Sequence, residues 1–223
     1  DAIICDPPYG TTACAWDAVI PFGAMWSMID GWRTQETPVV LFGGQPFASS
    51  LIASNRDEFK YEWIWEKNTA TNFLHAARQP LRKHETISVF YQTPGRYFPI
   101  KSQGHHPTQS AKGSSKGVLW HGTNTRDYAG GDTDRHPTSV LRFDAVDPKT
   151  RVHPSEKPLR LLEYFVQTYT TEGDTVLDFT MGSGTTLVAA RNCGRRCIGI
   201  ERELEHCETA VRRLSQRLLP FAG

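Results

Sequence analysis

A glycine-rich turn between an apolar strand and a helix is the feature of this sequence that most restricts its fold. Residues 175–190 read TVLDFTMGSGTTLVAA, which predicts a buried strand over Thr175–Leu177 and a helix over about Thr185–Cys193. Glycine lets a backbone approach a ligand closely, and the start of a helix presents free N–H groups. The pattern predicts a ligand site where a strand of an open α/β sheet meets its helix.

The same alternation continues along the chain, with short apolar runs between amphipathic ones. Because strands that alternate with helices form parallel sheets, we predict an α/β fold with a doubly wound, mostly parallel sheet. Further strands are predicted at Ala2–Cys5, Val39–Phe42, Glu62–Glu66, Thr86–Tyr91 and Cys197–Ile200, further helices at Phe22–Trp32, Pro46–Ser54 and Lys157–Tyr169, and a last helix with Leu204, Cys207, Val211, Leu214 and Leu218 on one face before Pro220.

Composition limits the class of protein. The 223 residues, 39% hydrophobic and 22% charged, fit one large globular domain or a core with a small insertion. The longest apolar run, near Val39–Phe42, is far shorter than the roughly 20 residues that cross a bilayer, so no membrane association is expected. Five cysteines without a CxxC pair favour a reducing, cytoplasmic setting. No metal site is expected, because Cys197 is predicted in a strand and Cys207 on a core face, away from a shared zinc site.

The residues around the glycine turn limit the class of ligand that can bind there. Glu201 follows Gly182 by nineteen residues, at the end of the next predicted strand, where a carboxylate can accept from both hydroxyls of a ribose. A P-loop would have Lys where Thr185 stands, and a dinucleotide-binding turn would have Gly where Leu187 stands. No cation is supplied for a pyrophosphate, so an adenosyl ligand without phosphates fits better. A purely structural strand-to-helix turn is the alternative.

The tetrapeptide Asp6-Pro7-Pro8-Tyr9 directly follows the first predicted strand, at the carboxyl edge where open α/β sheets bind ligands. Its two prolines restrict the backbone between the carboxylate and the aromatic ring. Such a turn suits a carboxylate and a carbonyl that both accept hydrogen bonds from one amino group, beside a ring that stacks on a planar base. Taken alone, the tetrapeptide is also compatible with a simple turn with a helix-capping Asp.

Residues 97–150 differ in character from the flanking sequence. Between Arg96 and Arg151, nine Lys or Arg stand against five Asp, a local charge of +4 in a chain of net charge +1. The stretch shows little periodicity and carries several aromatic residues, Trp120 among them. Basic, aromatic-bearing loops can neutralise phosphates and reach base edges, and a solvated surface excursion is the alternative. We predict a loop-rich insertion at 97–150 within a core formed by 1–96 and 151–223.

Three motifs in this order resemble the β-class amino-group DNA methyltransferases that use S-adenosylmethionine. They are DPPYG at 6–10, HPSEKP at 153–158, and LDFTMGSGTT at 177–186 followed by GIE. In that class the catalytic tetrapeptide comes first, then the target-recognition region, then the cofactor motifs. Several motifs in the right order are far more specific than any one alone. The resemblance implies a Rossmann-like methyltransferase sheet with circularly ordered motifs and 97–150 as the target-recognition region.

The resemblance also implies the site residues. Asp6 and the Pro7 carbonyl would accept from the target amino group, Pro8 would stiffen the turn, and Tyr9 would stack on the extruded base. Direct transfer from sulfonium to nitrogen requires no covalent enzyme intermediate, so Cys5 needs no catalytic role. The implied cofactor-binding residues are His153, Lys157, Asp178, Phe179, Gly182, Ser183, Gly184, Thr185 and Glu201.

Within this class, Asp rather than Ser at the first tetrapeptide position implies adenine N6 as the target in double-stranded DNA. Cytosine N4 is the alternative, followed by an RNA or protein-amide substrate. Relatives are often dimers, which makes a homodimer an expectation, whereas the sequence does not specify a partner restriction nuclease. This sequence departs from the usual pattern of the class in two places. Asp178-Phe179-Thr180 replaces the frequent Asp-Pro-Phe, and the acidic segment usual before the tetrapeptide strand is expected to precede Asp1.

Overall fold

The structure is a computed structural model that describes residues 1–12, 14, 17–115, 124–151 and 156–216. Two compact units divide the chain. The first consists of Asp1–Phe98 together with the chain from Ser139 onwards, and the second is Pro99–Thr138. The first unit holds a seven-stranded sheet flanked by helices, and the second holds a two-stranded sheet.

The strands and helices have the following bounds. The strands are β1 (Ala2–Cys5), β2 (Val39–Gly43), β3 (Phe59–Thr71), β4 (Arg82–Phe90), β5 (Ala111–Ser115), β6 (Asn124–Tyr128), β7 (Val140–Arg142), β8 (Thr175–Asp178) and β9 (Arg196–Gly199). The helices are α1 (Phe22–Trp32), α2 (Phe47–Ser54), α3 (Leu159–Tyr169), α4 (Thr185–Asn192) and α5 (Leu204–Ser215), with a short 3-10 turn at Phe73–His75.

The large sheet has the strand order β7-β3-β4-β2-β1-β8-β9. The β2–β4 and β3–β4 pairs are antiparallel, and the other four neighbouring pairs are parallel. This confirms the predicted α/β fold with a mostly parallel sheet. Strand β1 lies between β2 and β8, with Ile3 opposite both Val39 and Leu177. Because β1 and β8 are parallel neighbours, the tetrapeptide and the glycine turn leave the sheet at the same edge.

The two faces of the central strands form two apolar clusters. Ile4 and Val40 lie in one cluster with Phe165 of α3, whereas Ile3 lies in the other with Trp26 of α1. Successive side chains of a strand point to opposite faces, so a central strand covered by helices on both sides is apolar throughout. All four residues of β1 and all five of β2 are buried. This explains why these strands are uninterrupted apolar runs in the sequence.

Most helices and strands have bounds close to those predicted from the sequence. The predicted apolar face of the last helix, however, differs from the face that is buried. The observed α1 matches the predicted Phe22–Trp32. In α5, however, Leu204 and Val211 are 72% and 63% exposed, whereas Ala210 is 1% exposed. A helix turns by about 100° per residue, so packing through Ala210 directs Val211 outward. The predicted apolar face is therefore wrong at Leu204 and Val211, whereas Cys207 and Leu214 are half-buried, and Leu218 lies outside the described residues.

The second unit contains an antiparallel pair of strands, β5 and β6, in which Ala111 is opposite Tyr128. An isolated bridge joins Ser102 to Arg135. Of the predicted insertion 97–150, β7 pairs with β3 and belongs to the large sheet. Trp120 lies outside the described residues. None of the helices in the described part of the chain has the length and apolarity needed to cross a bilayer.

Candidate active site

The loop that begins with the tetrapeptide folds around the carboxylate of Asp17. This side chain is buried, and its two oxygens accept four hydrogen bonds from backbone N–H groups. Burial alone would raise the pKa of Asp17, but hydrogen bonds from Thr12 and from the backbone hold it below its usual value. The donors are Tyr9 at 2.7 Å and Gly10 at 2.9 Å to Oδ1, and Thr11 at 2.8 Å and Thr12 at 2.7 Å to Oδ2.

The carboxylate of Asp6 has a partner at each oxygen. The Tyr9 hydroxyl donates to Oδ1, and Lys157 Nζ donates to Oδ2 at 2.5 Å. Burial raises the pKa of Asp6, and the charge of Lys157 offsets part of that rise. Pro7 is buried and Pro8 is partly buried. The four predicted catalytic residues thus form one rigid turn with the carboxylate and the phenol in contact.

Lys157 is a buried cation between two carboxylates. Its side chain is 8% exposed, and Nζ lies 3.4 Å from Glu85 Oε2 as well as 2.5 Å from Asp6 Oδ2. Nζ also lies over the rings of Tyr9 and Phe42, at 5.7 and 5.3 Å from their centroids. Burial would lower the pKa of Lys157, but Asp6 and Glu85 raise it above its usual value. The ammonium is therefore retained at neutral pH.

Glu85 connects this group to a second lysine. Glu85 Oε1 accepts from Lys67 Nζ, whose ammonium lies 4.7 Å from the Trp65 ring centroid. Burial would raise the pKa of Glu85, but Lys157 and Lys67 hold it below its usual value. Two carboxylates and two ammonium groups consequently balance in a buried network beside the tetrapeptide.

Direct contacts join the tetrapeptide to the glycine turn. The Thr180 hydroxyl donates to the backbone carbonyl of Asp6 at 3.2 Å, and the Phe179 N–H donates to Cys5 Sγ at 3.0 Å. The predicted catalytic carboxylate and the predicted cofactor turn are therefore neighbours in space, although more than 170 residues separate them in sequence.

The glycine turn has an open backbone and an anchored carboxylate. Gly182 has φ +50°, and an added Cβ would meet nothing within 4 Å. Its N–H donates to Glu201 Oε2 at 2.9 Å, while Glu201 Oε1 accepts from two further backbone N–H groups. Gly184 has φ +80°, and a Cβ there would lie 2.7 Å from Ala210 Cβ. The free space at Gly182 beside a fixed carboxylate fits an adenosyl group whose ribose hydroxyls donate to Glu201.

Asp178 and Phe179, which precede the glycine turn, are both buried. Asp178 is 3% exposed, burial raises its pKa to about 6, and its Oδ1 accepts from the Thr180 N–H at 3.1 Å. Phe179 is 7% exposed, and its ring lies 6.1 Å from that of Trp32. Since Trp32 is 45% exposed, this pair brings aromatic surface toward the edge of the sheet.

Arg213 of α5 joins the glycine turn to the segment before Lys157. Its Nη1 donates to Ser183 Oγ at 2.9 Å and to Thr185 Oγ1 at 2.9 Å. Its Nη2 donates to Glu156 Oε1 at 2.8 Å. The predicted cofactor residues Ser183 and Thr185 are thus held by a guanidinium group. Of the predicted cofactor residues, His153 lies outside the described residues.

Four residues of this arrangement are absent from the sequence-based prediction of the site. Glu85 and Lys67 belong to the segments His84-Glu85 and Trp65-Glu66-Lys67, which also resemble segments of the β-class methyltransferases, and this was the available signal for both residues. Asp17 and Arg213 carried no such signal, because their partners follow no local periodicity. In the described part of the chain no group of His, Cys, Asp and Glu is placed to hold a metal ion.

A family model described as DNA methylase matches residues 1–212 of the chain. The chain belongs to the DNA methylase family. The match covers the tetrapeptide, the buried ion network and the glycine turn described above.

Curated relatives of this DNA methylase include three type II methyltransferases. M2.DpnII of Streptococcus pneumoniae is 50% identical over 62 residues, 28% of this chain and 23% of that protein. M.BglII of Bacillus subtilis is 32% identical over 64% of this chain and 39% of that protein. M1.MboII of Moraxella bovis is 26% identical over 93% of this chain and 86% of that protein. The chain thus spans less than half the length of the first two.

Solved structures show the same fold. The M1.HpyAVI–SAM complex has a TM-score of 0.63 at 22% identity and covers 97% of this chain and 89% of that one. The PvuII DNA methyltransferase, which is cytosine-N4-specific, has a TM-score of 0.64 at 14% identity and covers 98% and 80%. These likenesses confirm the Rossmann-like methyltransferase fold.

Proposed function

We propose that this DNA methylase transfers a methyl group from S-adenosylmethionine to the N6 amino group of an adenine flipped out of double-stranded DNA. The observation that carries the proposal is the hydrogen bond from Thr180 to the Asp6 carbonyl, which sets the tetrapeptide beside the glycine turn. Methyl transfer requires the methyl donor and the acceptor amine to lie side by side, and a cofactor at the glycine turn would lie next to a base at the tetrapeptide. The family membership supports methylation of DNA.

The glycine turn and Glu201 are proposed to hold the cofactor. S-adenosylmethionine, when bound, supplies an electrophilic methyl group on a sulfonium. The Glu201 carboxylate, oriented by the Gly182 N–H, accepts from the ribose hydroxyls, and the open backbone at Gly182 leaves room for them. Asp178, Phe179 and the turn residues Ser183–Thr185 shape the pocket. Lys157 lies at its methionine end, and the same role is proposed for His153.

Asp6, Pro7 and Tyr9 are proposed to prepare the target base. The exocyclic nitrogen of adenine is a weak nucleophile, because its lone pair is delocalised into the ring. Hydrogen bonds from this amino group to the Asp6 carboxylate and the Pro7 carbonyl direct the lone pair toward the methyl group and stabilise the positive charge that grows on nitrogen. Tyr9 stacks on the base, which positions the nitrogen for in-line attack.

The target base must leave the double helix to reach this site. Flipping costs a few kcal/mol, which stacking and phosphate contacts offset. We propose that the inserted region within 97–150 supplies target recognition, since its excess of Lys and Arg can neutralise phosphates. A homodimer and a cytoplasmic location stay predictions.

Cytosine N4 is the second candidate target, because the structurally similar PvuII enzyme is cytosine-N4-specific. The two targets present the same chemistry, an exocyclic amine on an aromatic ring. Asp at position 6 supports adenine through the family resemblance. Identification of the methylated nucleoside distinguishes adenine N6 from cytosine N4.

The test is the identity of that nucleoside. The full-length protein is incubated with S-adenosylmethionine and unmethylated plasmid DNA, and the digested nucleosides are separated and weighed by mass spectrometry. N6-methyladenine supports the proposal, and N4-methylcytosine selects the second candidate. Methylation of RNA or protein in parallel reactions, with none on DNA, would overturn both.

A further inference from the structure

Both carboxylate oxygens of Asp6 already have donors, Tyr9 on Oδ1 and Lys157 on Oδ2. If the proposed function holds, the target amino group must also donate to this carboxylate. The amino group then competes with Tyr9 and Lys157 for the space and the lone pairs around this carboxylate. The structure indicates which one can move.

Tyr9 is fixed in several ways. Its ring stacks on Phe47 with centroids 5.1 Å apart and an interplanar angle of 30°. Its backbone N–H donates to Asp17 at 2.7 Å. A stacked ring on a restrained backbone has little freedom to turn its hydroxyl away from Asp6.

Lys157 has an alternative partner. Its ammonium is carried on a flexible four-carbon stem. Glu85 Oε2 lies 3.4 Å from Nζ, just beyond a good hydrogen bond. Within the described residues, this buried oxygen has no hydrogen-bond partner. A movement of the ammonium toward Glu85 would therefore bring Oε2 into hydrogen-bond range and lengthen the contact with Asp6.

The second carboxylate is needed on electrostatic grounds. A buried ammonium that loses its counter-ion is strongly unfavourable. Positive charge also grows on the target nitrogen during methyl transfer, so an ammonium held at Asp6 would oppose the reaction. Movement of the ammonium toward Glu85 keeps it paired with a carboxylate and weakens its repulsion of the target nitrogen.

We propose that Lys157 occupies the amino-group position at Asp6 in the free enzyme and passes to Glu85 when the target base enters. Glu85 is then a positioning residue. It acts through Lys157, and touches neither the base nor the cofactor. Lys67, which donates to Glu85 Oε1, keeps this carboxylate ionised and oriented, in agreement with the lowered pKa of Glu85.

The exchange predicts an unusual double-mutant result. In Glu85→Gln the ammonium has no second carboxylate and stays on Asp6, so methylation of plasmid DNA slows by about 100-fold. Adding Lys157→Met removes the blocking ammonium, and the double variant is expected to be at least about tenfold faster than Glu85→Gln alone. Single-turnover rates are compared at about pH 8.5, where a buried Asp is more fully ionised.

Glu66→Gln is the matched control. Glu66 lies on the same strand pair and pairs with Arg142 and Lys83 in a separate ion group. Its replacement is expected to change the rate by less than about twofold. Circular dichroism and the affinity for S-adenosylhomocysteine show that each variant is folded.

A second readout follows the ammonium directly. The 15N–1H signal of Lys157 Nζ, assigned by its absence in Lys157→Met, is recorded with and without a duplex that carries the mapped target site. We expect it to shift in the wild type and to stay unchanged in Glu85→Gln. A double variant as slow as Glu85→Gln, or slower, overturns the exchange. An inactive wild type overturns the proposed function instead, so the two failures are distinct.

Discussion

The Asp17 carboxylate accepts a 2.7 Å hydrogen bond from the backbone N–H of Tyr9 and thereby anchors the loop that carries the proposed catalytic residues. The same carboxylate accepts from the next three backbone N–H groups. A residue that sequence analysis overlooked therefore fixes the position of the tetrapeptide.

Asp17→Asn is expected to destabilise the protein by about 2 kcal/mol, because a charged acceptor of several N–H bonds becomes a neutral amide. The folded-state pKa of Asp17 is lowered. Its contribution is therefore complete above the ordinary carboxyl pKa and is lost as pH falls through the folded value. Urea denaturation at neutral pH and near pH 3 measures both effects. The exposed Asp57→Asn serves as control, and an equal loss of stability there would contradict the role of Asp17.

Gly184→Ala is expected to destabilise the protein by about 3 kcal/mol. The residue has φ +80°, and the added Cβ would lie 2.7 Å from Ala210 Cβ, so backbone strain and a steric clash add. Gly31→Ala in α1 is the matched control, since its Cβ meets nothing within 4 Å. That control should be neutral or gain about 0.5 kcal/mol from helix propensity. Thermal unfolding of the two variants gives the comparison.

Lys157→Met is expected to move the acid limb of the methylation rate to higher pH by about one unit or more. Burial raises the pKa of Asp6, and the Lys157 ammonium opposes that rise. The ionised carboxylate is the stronger acceptor and stabilises the positive charge that grows on the amine, so the rate falls as pH falls through the pKa of Asp6. Rates from about pH 5 to 9 give the profile. An acid limb that stays in place would show that Lys157 does not act on Asp6.

Arg213→Ala is expected to weaken S-adenosylmethionine binding by about tenfold, because one guanidinium holds both Ser183 and Thr185 of the glycine turn. Arg212→Ala, at an exposed position of the same helix, should leave the affinity unchanged. Isothermal titration measures both. Equal affinities for the two variants would mean that the turn keeps its shape without Arg213.

Sequence patterns predicted the elements that local chemistry determines. The limits of α1 agree with the predicted Phe22–Trp32, and β1 and β2 followed from uninterrupted apolar runs. The apolar face predicted for α5 was wrong at Leu204 and Val211, because that helix packs through the small residue Ala210. A residue of this size contributes little to a hydrophobic pattern.

The site was only partly predictable, because some of its contacts join residues that are far apart in the sequence. The tetrapeptide and the glycine turn are contiguous motifs, and the prediction that they meet agrees with the contact of Thr180 with Asp6. Lys157 pairs with Glu85 across 72 positions of sequence, and nothing local marks such a pair. Ion networks of this kind depend on which strands become neighbours, which is decided by the tertiary fold.

The most direct test of the proposed chemistry compares the wild type with Asp6→Ala in methyl transfer to DNA and in cofactor binding. Removal of the acceptor carboxylate is expected to slow transfer by about 1,000-fold or more while the dissociation constant for S-adenosylmethionine changes by less than about threefold. Asp30→Asn, on the exposed surface of α1, controls for an unspecific change of charge. Near-normal methyl transfer by Asp6→Ala would contradict the central claim that this carboxylate receives the target amino group.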